Sequence, residues 1–174
     1  ELINPIDIAS GTGRMFFLIL NQLKFKNRLF AIDKSPTMCE YILKTIKRRR
    51  VYTNNLKVIP CCIKQIAQKI GCKTNFIISC FGFPSKTSDR ETSLKELKAI
   101  CSVLMPGGVF VTIGWDETFN DELSTVFFKY VNDKYNSDNF EKWRQQKTKD
   151  IKSTRNCHLT WFKRGIKVPL QFNS

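Results

Sequence analysis

The stretch DIASGTGR, residues 7–14, places an acid and several small residues between two apolar segments. The apolar residues before it predict a short buried strand over 5–9, and those after it predict a helix over 13–24. Gly11 and Gly13 suit the connection, because glycine readily adopts positive φ angles and lets a ligand approach the bare backbone. The stretch therefore predicts a strand–loop–helix unit whose loop either makes only a tight turn or also binds a ligand.

Apolar strands and amphipathic helices continue to alternate after this unit. Four strands are predicted over 28–33, 56–61, 75–81 and 108–115, and three helices over 35–50, 63–71 and 89–105. The strands are apolar almost throughout, as is typical of parallel strands with helices on both sides. Short connections between alternating strands and helices favour right-handed crossovers within one parallel sheet.

The last part of the chain has a different pattern. Residues 121–135 predict a helix, and residues 157–172 predict two strands around Arg164 and Gly165, which indicates an antiparallel hairpin. We therefore expect a Rossmann-like, doubly wound α/β fold with helices on both faces of the sheet. The sheet is expected to be mostly parallel, with about seven strands and a C-terminal antiparallel hairpin.

Composition argues against membrane-spanning and metal-binding classes of protein. The longest apolar stretch is far shorter than the roughly 18 residues that a membrane-spanning helix needs. The seven cysteines are an odd number, several lie in apolar segments, and no C-x-x-C pair occurs. This pattern is typical of buried free thiols, so we expect no metal site and a reducing, cytoplasmic location.

The chain is strongly basic, with a formal net charge of +14. From Glu141 to the end there are nine Lys or Arg residues against two acids, and a second basic cluster, KRRR, occupies 47–50. A basic surface attracts nucleic acid or anionic substrates. Lysine-rich usage in an AT-rich genome explains the same excess, and we favour this compositional explanation.

An acid at the end of the second predicted strand indicates a nucleoside site. Asp33 follows Gly13 by 20 residues (33 − 13), and an acid at this distance can accept hydrogen bonds from both ribose hydroxyls. The alternative is that Asp33 only precedes the helix that Ser35 starts. The glycines and the acid together, in a strand–loop–helix–strand context, favour the nucleoside site.

The residues around the glycines indicate which nucleoside is bound. A dinucleotide-binding loop has a third glycine where this chain has Phe16, and no Gly-Lys-[Ser/Thr] follows as in a P-loop. Asp7, buried in the first strand, would repel a pyrophosphate. S-adenosylmethionine carries a sulfonium and an ammonium group and no phosphate, so the acid favours this cofactor.

Four motifs in order carry a resemblance to a known family. They are IDIASGTGR (6–14), LFAIDKSPTMCEYI (29–42), FIISCFGFP (76–84) and LKELKAICSVLMPGGVFVTIGW (94–115). Together they resemble the class I S-adenosylmethionine-dependent methyltransferases, in the small-molecule branch that includes quinone-biosynthesis C-methyltransferases. The similarity runs from about residue 5 to residue 115 and implies methyl transfer from S-adenosylmethionine.

The resemblance implies a role for each matching residue. It places Asp7, Ala9, Ser10, Gly11 and Gly13 beside the methionine part of the cofactor, Asp33 at the ribose, Lys34 and Met38 at the adenine, and Ser79, Cys80 and Phe81 near the sulfonium. Cys61 and Cys62 occupy the place where the family often has an acid that holds the adenine amino group. A thiol is a weak hydrogen-bond partner, so adenine recognition departs from the family pattern here.

The methyl acceptor is harder to infer, because methyl transfer mainly needs alignment and exclusion of water. Asp116, Glu117 and the single histidine, His158, are the candidate catalytic residues, each with an alternative structural role. We expect a small-molecule acceptor. The alternatives are a nucleic-acid methyltransferase, indicated by the basic charge, and a non-catalytic binding subunit with the same fold.

The length of the chain fits one domain. We expect a single methyltransferase domain over 1–174, with the cofactor-binding half in 1–115 and the acceptor side and hairpin in 116–174. The start at Glu1 instead of Met is compatible with truncation at the N-terminus. The sequence does not indicate an oligomeric state.

Overall fold

The computed structural model describes residues 1–52, 54–85, 89–115, 140–149 and 156–164. The strands are β1 (Leu2–Ile3), β2 (Ile6–Ile8), β3 (Phe25–Lys26), β4 (Leu29–Asp33), β5 (Leu56–Pro60), β6 (Thr74–Cys80), β7 (Leu104–Trp115), β8 (Phe140–Lys149) and β9 (Asn156–Arg164). The helices are α1 (Arg14–Gln22), α2 (Pro36–Arg48), α3 (Ile66–Ile70) and α4 (Arg90–Val103), with a 3₁₀ turn over Ile63–Gln65.

Seven strands form one sheet in the order β5-β4-β2-β6-β7-β9-β8. The first five of these are parallel, whereas β9 pairs antiparallel with β7 and β8 pairs antiparallel with β9. The two short strands β1 and β3 form a separate parallel pair. The predicted Rossmann-like, mostly parallel sheet with helices between its strands is confirmed.

The structure differs from the sequence expectation at the C-terminal hairpin. The strand expected to begin at residue 157 is β9, but its antiparallel neighbour is β8, which precedes it in the chain and was not predicted. In β8 the polar residues outnumber the apolar ones, so it gives no apolar signal. The strand expected after Gly165 and the helix expected over 121–135 lie outside the described residues.

Local sequence signals explain where two of the helices start. Ser35 caps α2, since its Oγ accepts a hydrogen bond from the Met38 N–H at 3.4 Å, and Pro36 occupies the first turn. Gly13 precedes α1 with a φ of 82°, a conformation that favours glycine. Gly71, with a φ of 61°, ends α3 as predicted.

The apolar residues form two clusters, one on each side of the sheet. Ile77 on β6 packs with Leu97 and Ile100 of α4, whereas the neighbouring Ile78 packs with Phe16 and Ile42 of α1 and α2. Adjacent residues of a strand point to opposite faces, so a strand covered on both faces is apolar throughout. This arrangement buries both faces of the strands and leaves their carboxyl ends to form a site. No helix in the described part of the chain is long and apolar enough to cross a bilayer.

Candidate functional site

A cavity of about 530 Å³ lies at the carboxyl edge of the parallel strands. Each parallel strand contributes residues at or just after its end, and α4 adds one further wall. The lining residues are Ala9, Asp33, Lys34, Cys61, Cys62, Ile63, Lys64, Phe81, Gly82, Pro84, Ser85, Thr92, Glu96 and Gly114. Ligands of open α/β sheets bind at this edge, and the volume lies in the roughly 300–1,000 Å³ range of small-molecule sites.

The loop between β2 and α1 is held against β4 by Ser10. The buried Ser10 Oγ donates a hydrogen bond to the Asp7 carbonyl at 2.7 Å and accepts one from the Ile32 N–H at 3.0 Å. The loop conformation is unusual, since Ala9 has a φ of 52° and Gly11 a φ of 52°. This fixed loop brings its backbone to the rim of the cavity.

Asp33 connects this loop to the start of α2. Its Oδ2 accepts a hydrogen bond from the Gly11 N–H at 2.8 Å, and its Oδ1 accepts one from the Ser35 N–H at 2.8 Å. The side chain is half-buried and lines the cavity. An ionised carboxylate has about four acceptor positions, so about two remain for other donors. The two interpretations of Asp33, helix-start acid and ligand-binding acid, are therefore compatible.

Asp7 lies beneath the loop, with 1% of its surface exposed. Its Oδ2 accepts a hydrogen bond from the Phe16 N–H at 2.9 Å, in the first turn of α1. Burial raises the pKa of this carboxyl group to about 7, against the opposing effect of the Phe16 hydrogen bond. The walls of the cavity are formed by other residues, so in this structure Asp7 supports the loop from below.

The structure brings together about half of the residues for which the sequence implied cofactor contacts. Six of them line the cavity: Ala9, Asp33, Lys34, Cys61, Cys62 and Phe81. Ser10, Gly11 and Gly13 shape the adjoining loop, and Cys80 ends β6 just before Phe81. Met38 lies on α2 with 36% of its surface exposed. Ser79 is fully buried on β6, and its Oγ has no hydrogen-bond partner among the described residues.

The candidate catalytic residues are placed only in part. Asp116 and Glu117 lie outside the described residues. His158 belongs to β9, where its backbone is in register with Gly114, a lining residue of the cavity. The described part of the chain contains no group of three His, Cys, Asp or Glu residues that could hold a metal ion.

Sequence reasoning missed part of the cavity wall. Gly82, Pro84 and Ser85 follow β6 directly, and Gly82 packs so closely that a Cβ atom there would overlap the Cβ of Ala9. The motif FGFP, which holds Gly82 and Pro84, was the available signal for this wall. Thr92 and Glu96 of α4 were also missed, although their spacing of four residues places them on one helix face.

Glu96 is an acid in the α4 wall of the cavity. Its Oε2 is buried and has no hydrogen-bond partner among the described residues. Burial raises the pKa of the carboxyl group, while the positive charges of Lys34 and Lys64 lower it. The cavity thus contains two acids, Asp33 and Glu96, with acceptor positions available to a ligand.

The cavity fits S-adenosylmethionine in size and in chemistry. Its lining includes two acids, Asp33 and Glu96, and the Oε2 of Glu96 has no hydrogen-bond partner among the described residues. An added Cβ at Gly11 would meet no atom within 4 Å, so open space remains beside the loop backbone. Acceptors combined with open backbone suit a cationic ligand that carries a nucleoside.

The chain matches the ubiE/COQ5 methyltransferase family over residues 2–137. This is well over half of the chain. A sequence search against curated proteins returned no significant match.

Several solved structures share the fold. An S-adenosylmethionine-dependent methyltransferase from Clostridium acetobutylicum superposes with a TM-score of 0.73 at 14% identity, covering 94% of this chain and 84% of that chain. The N-methyltransferase NodS from Bradyrhizobium japonicum gives 0.72 at 15% identity, covering 95% and 87%. An rRNA methylase from Streptococcus thermophilus gives 0.65 at 14% identity, covering 95% and 90%.

The family match and the fold agree with the motifs that the sequence presents. The match includes the loop, the Asp33 strand end and every lining residue of the cavity. The chain therefore belongs to the ubiE/COQ5 methyltransferase family and is a methyltransferase that uses S-adenosylmethionine.

Proposed function

We propose that the cavity at the carboxyl edge of the sheet holds S-adenosylmethionine and that a small molecule accepts the methyl group. The observation that carries the proposal is the position of Asp33, whose carboxylate lines the cavity while it fixes the neighbouring loop through Gly11. When bound, the cofactor supplies a methyl group activated by a sulfonium. The chain's own residues then have to orient the cofactor and keep water out.

The residues divide the cavity into two ends. Asp33 accepts hydrogen bonds from the ribose hydroxyls. On the β5 side, Lys34 and the Cys61–Lys64 segment border the adenine. The ends of β2 and β6 border the methionine part and the sulfonium. Asp7 keeps α1 and the loop in place through the Phe16 N–H. Asp116, Glu117 and His158 remain the candidates for a base where the acceptor must lose a proton.

The position of the basic cluster supports a small-molecule acceptor. Lys47 to Arg50 are exposed at the C-terminal end of α2, where Lys47 and Arg48 lie in its last turn, whereas the cavity lies beside its first turn. A helix of 13 residues spans about 20 Å, so the cluster lies near the opposite edge of the sheet. The cluster is therefore separate from the residues that line the cavity. The resemblance to the small-molecule branch supports the same acceptor class.

Calorimetry with S-adenosyl-L-homocysteine tests the proposed cofactor site. We expect the wild-type chain to bind this product, and Asp33→Ala to weaken binding at least about tenfold, because two hydrogen bonds to a charged group are lost. Glu40→Ala is the control, since Glu40 is exposed on α2 and pairs with Lys44 at 2.8 Å. Absence of binding by the wild-type chain at millimolar ligand, or an unchanged affinity in Asp33→Ala, contradicts the proposal.

A further inference from the structure

The end of β5 lacks the side chain expected to hold the adenine amino group. Cys61 is buried and Cys62 is half-buried, and both line the cavity. The Cys62 N–H donates to the Gln65 side chain at 3.3 Å, so this segment is organised by its own 3₁₀ turn. Thiols accept hydrogen bonds weakly. A buried amino group at this end of the cavity would need an acceptor from another element.

Glu96 is an acceptor at that end. It reaches the cavity from α4, one helical turn beyond Thr92, and its buried Oε2 has no hydrogen-bond partner among the described residues. The charges that act on it are those of Lys34, next to Asp33, and Lys64, next to Ile63. Since α4 packs against the 3₁₀ turn that follows β5, Glu96 lies on the β5 side of the cavity.

We propose that Glu96 recognises the adenine of the cofactor by accepting a hydrogen bond from the 6-amino group. Glu96 is half-buried, but its Oε2 is a buried oxygen without a hydrogen-bond partner among the described residues, which is costly, and a donor that arrives with the ligand removes this cost. Burial raises the pKa of Glu96, and the positive charges of Lys34 and Lys64 act against that rise and favour the ionised, acceptor-only form. The acid that the family often has at the end of β5 is thus replaced by an acid from α4. This inference rests on the proposed cofactor site.

The test compares two ligands that differ only at the 6-position of the purine. The first is S-adenosyl-L-homocysteine, and the second is its inosine counterpart, in which an oxygen replaces the amino group. We expect the wild-type chain to prefer the adenine compound at least about tenfold in calorimetry, because the carboxylate faces a carbonyl oxygen in the second complex. A site built to bond a donor rejects a ligand that lacks it.

Glu96→Gln is the informative variant, because glutamine has nearly the same shape and its amide can either accept from an amino group or donate to an oxygen. We expect the preference for adenine to fall to within about threefold. Glu91→Gln is the matched control on the same helix, since Glu91 is exposed and pairs with Lys95 at 2.7 Å. It should keep the wild-type preference.

The outcomes separate the inference from the proposed function. Binding of S-adenosyl-L-homocysteine with no preference in the wild type, or with an undiminished preference in Glu96→Gln, overturns the role of Glu96 and leaves the cofactor site intact. Failure of the wild type to bind either compound overturns the cofactor site and the role of Glu96 with it. Thermal unfolding of each variant shows that the chains compared are folded.

Discussion

Asp33 serves the fold and the proposed site through one carboxylate. Its two hydrogen bonds fix the Gly11 and Ser35 amides, and its side chain also lines the cavity. A loop that is already ordered before the ligand arrives loses less conformational entropy on binding. The same hydrogen bonds that stabilise the chain therefore also order the ribose site that we propose.

The buried Asp7 makes stability depend on pH. Its pKa rises from 3.8 to about 7 on folding because of burial, so the folded chain binds this proton more tightly than the unfolded chain. The stabilisation by the protonated Asp7 is therefore complete below the pKa that Asp7 has in the unfolded chain, and it is lost as the pH rises through about 7. The asparagine that Asp7→Asn introduces would not titrate in this range. As the pH rises from about 5 to about 7, we therefore expect the free energy of unfolding of Asp7→Asn to increase by about 2–3 kcal/mol relative to that of the wild type.

Urea unfolding of both proteins across this pH range measures the difference in the free energy of unfolding. Asparagine keeps an oxygen that can accept from the Phe16 N–H, so the comparison isolates the titration. Parallel stability curves for the two proteins would show that the pKa of Asp7 does not change on folding.

At the scale of elements, the loop between β2 and α1 contains two glycines that differ in their surroundings. A Cβ on Gly13 would lie 2.9 Å from Ile42 Cγ1 and 3.2 Å from Phe17 Cε2, whereas a Cβ on Gly11 would meet no atom within 4 Å. Both have positive φ angles. We expect Gly11→Ala to cost about 1–2 kcal/mol of stability from backbone strain alone, and Gly13→Ala about 2–4 kcal/mol because overpacking adds to the strain.

Urea unfolding of the two variants gives both values, and equal losses would contradict the crowding at Gly13. The pair also separates fold from site. Gly11 borders open space beside the cavity, so the added methyl group of Gly11→Ala would occupy space next to the ligand. We therefore expect Gly11→Ala to weaken binding of S-adenosyl-L-homocysteine although the chain remains folded.

The central elements could be predicted because their signals are local. Most residues of the five parallel strands are apolar, and Ser35, Pro36 and Gly71 mark helix ends. β1 and β3 have two residues each, too few to show a period. β8 was missed because it has few apolar residues, a composition typical of a strand at the edge of a sheet, and β8 is the last strand of the sheet.

The part of the candidate site that lies at strand ends could also be predicted from local sequence signals. Parallel strands end at one edge, so Asp33, Cys61 and Phe81 could be grouped from the strand boundaries alone. Glu96 could not, because the face that α4 turns toward the cavity depends on how the helix packs against the 3₁₀ turn. That packing is a tertiary contact without a local sequence signal.

For the whole molecule, the net charge of +14 and the location of the cavity predict two separable kinds of binding. Lys47, Arg48 and Arg50 are exposed, while Arg49 stacks over the Phe17 ring at 4.7 Å. We expect weak RNA binding whose affinity falls steeply with salt. Replacing the three exposed cations by Gln should lower the slope of log affinity against log salt by about 2 units.

The same triple variant should bind S-adenosyl-L-homocysteine within about twofold of wild type, because the cluster and the cavity lie at opposite ends of α2. Filter binding at several salt concentrations and calorimetry measure the two affinities. A loss of cofactor binding in the variant, or salt-resistant RNA binding that involves the cavity, would favour the nucleic-acid methyltransferase instead.

The close contact between Ala9 and Gly82 links two motifs that are far apart in the chain. A side chain at 82 would occupy the space of the Ala9 methyl group, and Ala9 itself has a positive φ that glycine adopts more easily. The two positions are therefore constrained as a pair. During divergence, a change from glycine at 82 becomes acceptable only after position 9 has become glycine, so the order of substitutions matters as much as their identity.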